Sequence, residues 1–158
     1  MKKILFLGIF GIILFHGCIE PPDYPVEPVI AFLEINKTQI VGQTTLEDPN
    51  RVVDTLFITF SFTDGDGDLG KSDTDTTRNV FLIDSRLGNA GESFQVKTIP
   101  QAGVTNGISG EMTVMLPETF CFPNSAPRDR MTYSIQIVDN AGHYSNIIET
   151  PEIELICD

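Results

Sequence analysis

Leu56-Phe57-Ile58-Thr59-Phe60-Ser61-Phe62-Thr63 alternates with period two. Leu56, Ile58, Phe60 and Phe62 fall on one face, Thr59 and Ser61 on the other, and only Phe57 breaks the rule. Strict alternation enriched in β-branched and aromatic residues marks a half-buried strand. The same pattern recurs at 108–116 and 133–137. A short apolar run at 80–83 reads as a buried strand, and 94–99 alternates more weakly. Residues 29–35 open the folded part, and 146–156 close it around Pro151. No stretch of useful length carries a 3.6-residue apolar stripe, so helix is confined to short turns. About seven strands separated by turn-rich loops predict an all-β chain. A lone sheet with a Phe-rich face cannot remain in water, so two layers are required. The expected architecture is a two-sheet sandwich of immunoglobulin or fibronectin-III type spanning 29–158.

The chain before that domain divides in two. Met1-Lys2-Lys3 is basic, 4–15 is uncharged and apolar, and Phe15-His16-Gly17-Cys18 follows. A basic start, a short apolar run and a small residue before a cut describe a secretory leader over 1–17. The run is shorter than the roughly 20 apolar residues that span a bilayer. The following cysteine makes the leader resemble that of a bacterial lipoprotein. The resemblance implies that Cys18 is acylated and becomes the new N-terminus, so the partner is a membrane reached through lipid. Ile19 follows Cys18 instead of the Asp associated with inner-membrane retention, which by the same resemblance points to the outer membrane, facing the periplasm or the cell surface. Residues 19–28, IEPPDYPVEP, hold four prolines, which exclude helix and central strand. With Cys18 this segment reads as a lipidated, semi-rigid tether of roughly 30 Å, at about 3.1 Å per residue.

Charge narrows the partners. The full chain carries −12, and losing Lys2 and Lys3 with the leader takes it to −14. Such a surface repels phosphate backbones, so no nucleic-acid partner is expected. After Cys18, Cys121 and Cys157 remain, and an even pair in an exported chain suggests a disulfide. Two buried free thiols are the alternative. VDNAGHYSN at 138–146 reads as the last hairpin turn. Centring that turn on Asn140-Ala141 brings Cys157 opposite position 124, close to Cys121.

Asp64-Gly65-Asp66-Gly67-Asp68-Leu69-Gly70 follows the strongest strand, with Asp73 and Asp75 close behind. Alternating Asp and Gly lets carboxylates at every second position converge. Converged carboxylates repel one another unless a hard cation such as Ca²⁺ joins them. Asp64, Asp66, Asp68 and Asp75 match positions 1, 3, 5 and 12 of a calcium loop. Leu69 and Asp75 replace the Gly and Glu of an EF-hand, and a strand stands where its first helix would be. In a sandwich with 56–63 and 131–138 as its second and sixth strands, Asp139 would approach Asp64–Asp68. A solvated Asp/Gly turn is the alternative. Gly65, Gly67 and Gly70 also spell G-x-G-x-x-G, but the interleaved aspartates would repel pyrophosphate.

The segment FTDGDGDLG at 62–70, VDNAGHYSN at 138–146 and the late cysteine resemble small lipoproteins of Bacteroidota. The second motif also resembles the closing hairpin of bacterial immunoglobulin-like domains. The resemblance implies a fold and a lineage, and it supplies no catalytic residues.

Catalysis has little to stand on. His16 leaves with the leader, so His143 is the only remaining histidine, and it reads as a surface turn residue. G-x-S-x-G, H-E-x-x-H and Cys/His zinc clusters are absent from the sequence. The expected function is a non-enzymatic, lipid-anchored binding or structural module of the cell envelope, calcium-stabilised, with an envelope protein or glycan as partner. The alternative is a carbohydrate-binding or carbohydrate-acting accessory protein, for which Tyr144 is the one expected exposed tyrosine.

Overall fold

A computed structural model describes residues 23–44, 50–99, 107–122 and 126–158. The leader, Cys18 and the start of the tether lie outside them. The described residues form ten strands and no helix.

The alternating stretch forms β3 (Leu56–Asp64), whose inward residues are all buried. Phe57, the exception in the pattern, is on the outer side and 39% exposed. β3 lies between β1 (Val29–Ile35) and β6 (Ile108–Leu116), antiparallel to both. A register shift between Phe32 and Glu34 bends β1, as an extra residue in one strand does.

The second layer is made of two shorter sheets that run into one another. β4 (Val80–Asp84) pairs with β5 (Gly91–Phe94) and β8 (Tyr133–Ile137), and β8 with β9 (Ile148–Glu149). β10 (Ile153–Ile156) pairs with β7 (Arg128–Met131) and, in parallel, with β2 (Gln39–Val41). Only Thr132 separates β7 from β8. Pro151, which has no N–H to give a ladder, falls in the gap between β9 and β10. Thr150 closes that break: its N–H donates to Tyr133 O (3.0 Å), and its hydroxyl accepts from Tyr133 N (3.0 Å).

Both layers contribute to one buried apolar cluster. Leu56, Ile58 and Phe60 of the first belong to it with Val80, Leu82, Ile135, Ile137 and Leu155 of the second. The molecule is thus an all-β sandwich. Fully burying a side chain such as Phe60 is worth about 1.5–3 kcal/mol, so the alternation in β3 is a main source of cohesion. Tyr133 points inward and is buried.

Several expectations shift. The weak strand at 94–99 appears earlier, as β5. Its opening residue must be Gly91, because a Cβ there would stand 1.9 Å from Leu82 O. β2 and β7 were not foreseen. The tether ends sooner than Pro28. Pro25 O accepts from Gly65 N–H (2.8 Å), the Tyr24 hydroxyl donates to Ser109 Oγ (3.3 Å), and Pro28 is buried. From Tyr24 onward the segment is part of the folded domain.

Cys121 and Cys157 form a disulfide, 36 residues apart in sequence, with Cα atoms 5.8 Å apart. The hairpin places Cys157 near the expected position: its N–H donates to Pro127 O (2.8 Å).

Candidate functional site

β3 ends in Asp64, fully buried, and the chain then turns through the acidic loop. Leu69 sets the loop's course. Its side chain is wholly buried in the apolar cluster, pulling the loop back onto the sandwich. Asp64 Oδ2 accepts from Leu69 N–H (3.1 Å), and Asn79 Nδ2 donates to Leu69 O (2.8 Å). Asn79 is itself buried, and its Oδ1 accepts from Val96 N–H (2.8 Å). Gly67 takes φ 73°, a left-handed conformation that glycine reaches at no steric cost. At Gly65 a Cβ would lie 2.4 Å from Tyr24 O, so the N-terminal segment can dock only on a glycine.

The turn after β8 meets this loop, as the sandwich order predicts. Asp139 is buried. Its Oδ1 accepts from the N–H groups of Gly142 (2.7 Å) and His143 (2.8 Å), and its Oδ2 lies 2.8 Å from His143 Nδ1. Hydrogen bonds join turn to loop: Asn140 N–H donates to Asp68 Oδ1 (3.1 Å), and Asn140 Nδ2 to Gly70 O (2.9 Å).

One carboxylate oxygen from each of Asp64, Asp66, Asp68 and Asp139 lies within 4.8 Å of all the others. Asp66, Asp139 and His143 form a second, overlapping group by the same measure. Asp64 Oδ1 is buried and has no hydrogen-bond partner. Burial, with repulsion from Asp66, Asp68 and Asp139, pushes the Asp64 carboxyl up to about 6. Burial also raises Asp68. Its hydrogen bond to Asp139 raises His143.

Four of the five acids expected to converge therefore do so, and Asp75 does not. Its Oδ1 accepts from the N–H (2.8 Å) and hydroxyl (2.7 Å) of Thr77, which hold its carboxyl below the usual range. The calcium-loop spacing misassigned it because inward burial of Leu69 breaks the regular curl that such spacing assumes. His143 is partly exposed, as expected of a turn residue, but its ion pair with Asp139 was not foreseen. Asn79 was also missed, and nothing in its local sequence distinguishes it from an ordinary polar residue at a strand entrance.

Among the described residues, concavities lie elsewhere. A pocket of about 350 Å³ at the opposite pole is lined by Arg86, Leu87, Phe120, Phe122 and Tyr133 among others. Arg86 is tied to Asp84 (2.6 Å) and Asp129 (3.4 Å), and its guanidinium sits 4.6 Å from the Phe122 ring centre. A shallower groove of about 350 Å³ lies along β4 and β5, lined by Phe81, Asn89, Glu92, Ser93, Gln136 and Tyr144 among others. Tyr144 is 59% exposed. Neither concavity includes a member of the acidic cluster.

Fold and cluster together define an all-β sandwich with one acidic, loop-built pole. No protein-family model, curated protein or solved structure matches the chain.

Proposed function

We propose that this chain is a lipid-anchored, non-enzymatic binding or structural module of the cell envelope, carried on the outer membrane by an acylated Cys18. The observation that carries this reading is the Cys121–Cys157 bridge. A structural disulfide belongs to an oxidising, extracytoplasmic compartment. It also accounts for two of the three cysteines, leaving Cys18, at the end of the leader-like segment, for the lipid. An immunoglobulin-like domain is supported by the strand order: β1-β3-β6 against β5-β4-β8-β9, with β7 and β10 extending the closing hairpin.

Anchoring would have a direction. Tyr24 and Pro25 dock at the acidic pole, and the few residues from Cys18 to Tyr24 span at most roughly 20 Å. The acidic pole would therefore face the lipid, and the pole bearing Phe120 and Phe122 would face outward.

Replacing Cys18 by Ala is expected to leave the chain uncleaved or free of the membrane, and without incorporated palmitate. Fractionation and metabolic acyl labelling would test this, and normal processing with normal membrane attachment would end the idea.

The groove along β4 and β5 favours a second reading, glycan binding. Tyr144 and Phe81 offer ring faces, and Gln136 and Asn89 offer amides. Affinity electrophoresis in cell-wall and storage polysaccharides would then show retardation that Tyr144→Ala removes. Equal mobility of both proteins in every gel would exclude this reading.

A further inference from the structure

The acidic pole buries carboxylates at a cost that a bound cation would offset. Asp64 and Asp139 are 0% and 1% exposed. A charged group that deep is normally paired or bound to a metal. Asp139 has His143, but Asp64 keeps one oxygen with no partner at all. The neighbouring charges that act most strongly on Asp64 are acidic ones. The four oxygens are no more than 4.8 Å apart. That is the span two oxygens have across a single ion bound at about 2.4 Å, within the range of calcium–oxygen contacts. A carboxylate has about four lone-pair positions, so the hydrogen bonds already made by Asp68 and Asp139 leave capacity for a metal.

We propose that Asp64, Asp66, Asp68 and Asp139 form a structural site for one hard divalent cation of calcium's size. The ion would join three chain segments at one point. The loop supplies Asp64, Asp66 and Asp68, and the turn after β8 supplies Asp139. The N-terminal segment is held indirectly, through Pro25 O and Gly65 N–H. The site goes beyond an anchoring role, because it fixes the chain that leads to Cys18 against the sandwich. Calcium accepts irregular sets of oxygen ligands, whereas Mg²⁺ requires near-octahedral geometry and gives up water reluctantly. The overlapping group with His143 offers a nitrogen ligand, which suits transition metals instead.

The full chain, purified in detergent from its native compartment, is melted in chelator and in ~10 mM Ca²⁺, about ten times the weak end of the range for extracellular modules. Calcium should raise the midpoint by about 5 °C, and Mg²⁺ by less. Hydrogen exchange at the Gly65 and Asn140 amides should slow. Asp66→Asn combined with Asp68→Asn should abolish the shift. Both side chains are at least partly solvent-accessible, so the variant should fold. Asp75→Asn should keep the full shift, because Asp75 is engaged with Thr77. The site is refuted if calcium leaves the melt unchanged, or if the double variant still responds. Loss of the response in Asp75→Asn would equally overturn it. So would stabilisation by Zn²⁺ alone that depends on His143.

Discussion

Removing the Cys121–Cys157 bridge is expected to destabilise the domain by about 4 kcal/mol in the chain-entropy account of cross-links. The bridge joins residues 36 positions apart, and a loop of that length loses substantial freedom in the unfolded chain. The enclosed segment contains β7, β8, β9 and β10, the closing hairpin of the sandwich. The native side is tightly packed: a Cβ at Gly42 would fall 2.7 Å from Cys121 Sγ and 2.7 Å from Leu155 Cδ1. For a domain of this size the loss corresponds to a melting point lower by roughly 10–20 °C. The comparison is between wild type and a Cys121→Ser, Cys157→Ser double variant, by calorimetry. Replacing both cysteines leaves no lone thiol to pair elsewhere. A double variant melting within ~2 °C of wild type, a difference worth well under 1 kcal/mol, would mean that the bridge constrains little.

What the sequence disclosed followed from how local each signal was. β3 was legible because its burial alternates along consecutive residues; β8 shares that property throughout, and β6 over its second half. β2 was not: three residues carry no period, and it exists because β10 offers a parallel edge. β7 was hidden by its own sequence, Arg128-Asp129-Arg130, which is polar because the strand faces outward over most of its length. At the acidic pole the loop acids were visible as a run. Asp139 became visible only through the order of strands in a sandwich, which puts the two turns at one end. The error at Asp75 came from borrowing the spacing of a loop that lies between helices. Here Leu69 enters the core and redirects the chain, so that Asp75 caps Thr77 instead. Asn79 and His143 act through partners distant in sequence or across a turn. Their roles depend on the folded geometry and not on any motif.

The same pole predicts an unusual response to pH. In chelator, the domain should become more stable as pH falls from about 7 to about 5. Asp64 titrates at about 6 in the folded state and at about 3.9 unfolded. The folded chain therefore holds that proton more tightly. The stabilisation this gives is complete below the unfolded value and is lost as pH rises through about 6. The whole gap is worth about 3 kcal/mol, of which about 1 kcal/mol returns between pH 7 and 5. Burial is the main cause of the rise, and the negative charges of Asp66, Asp68 and Asp139, which surround the group, add to it. Asp68 and His143 are also raised, and both act in the same direction, His143 with Asp139 as its partner and Glu27 and Asp66 nearby. Asp54, Asp75 and Glu154 are lowered by their hydrogen-bond partners. Their contributions fall away only as pH drops through the carboxylate range, which places the stability maximum near pH 5. Calcium should flatten the slope. Bound metal requires ionised carboxylates, so acidification releases it and removes its stabilisation. Thermal melts across this range should give two curves that converge near pH 5 and separate toward pH 7. Asp64→Asn should flatten the chelator curve without the broad loss expected of a misfolded variant. A chelated wild-type protein that steadily loses stability from pH 7 to pH 5 would show that the buried carboxylates are not the strained feature of this fold.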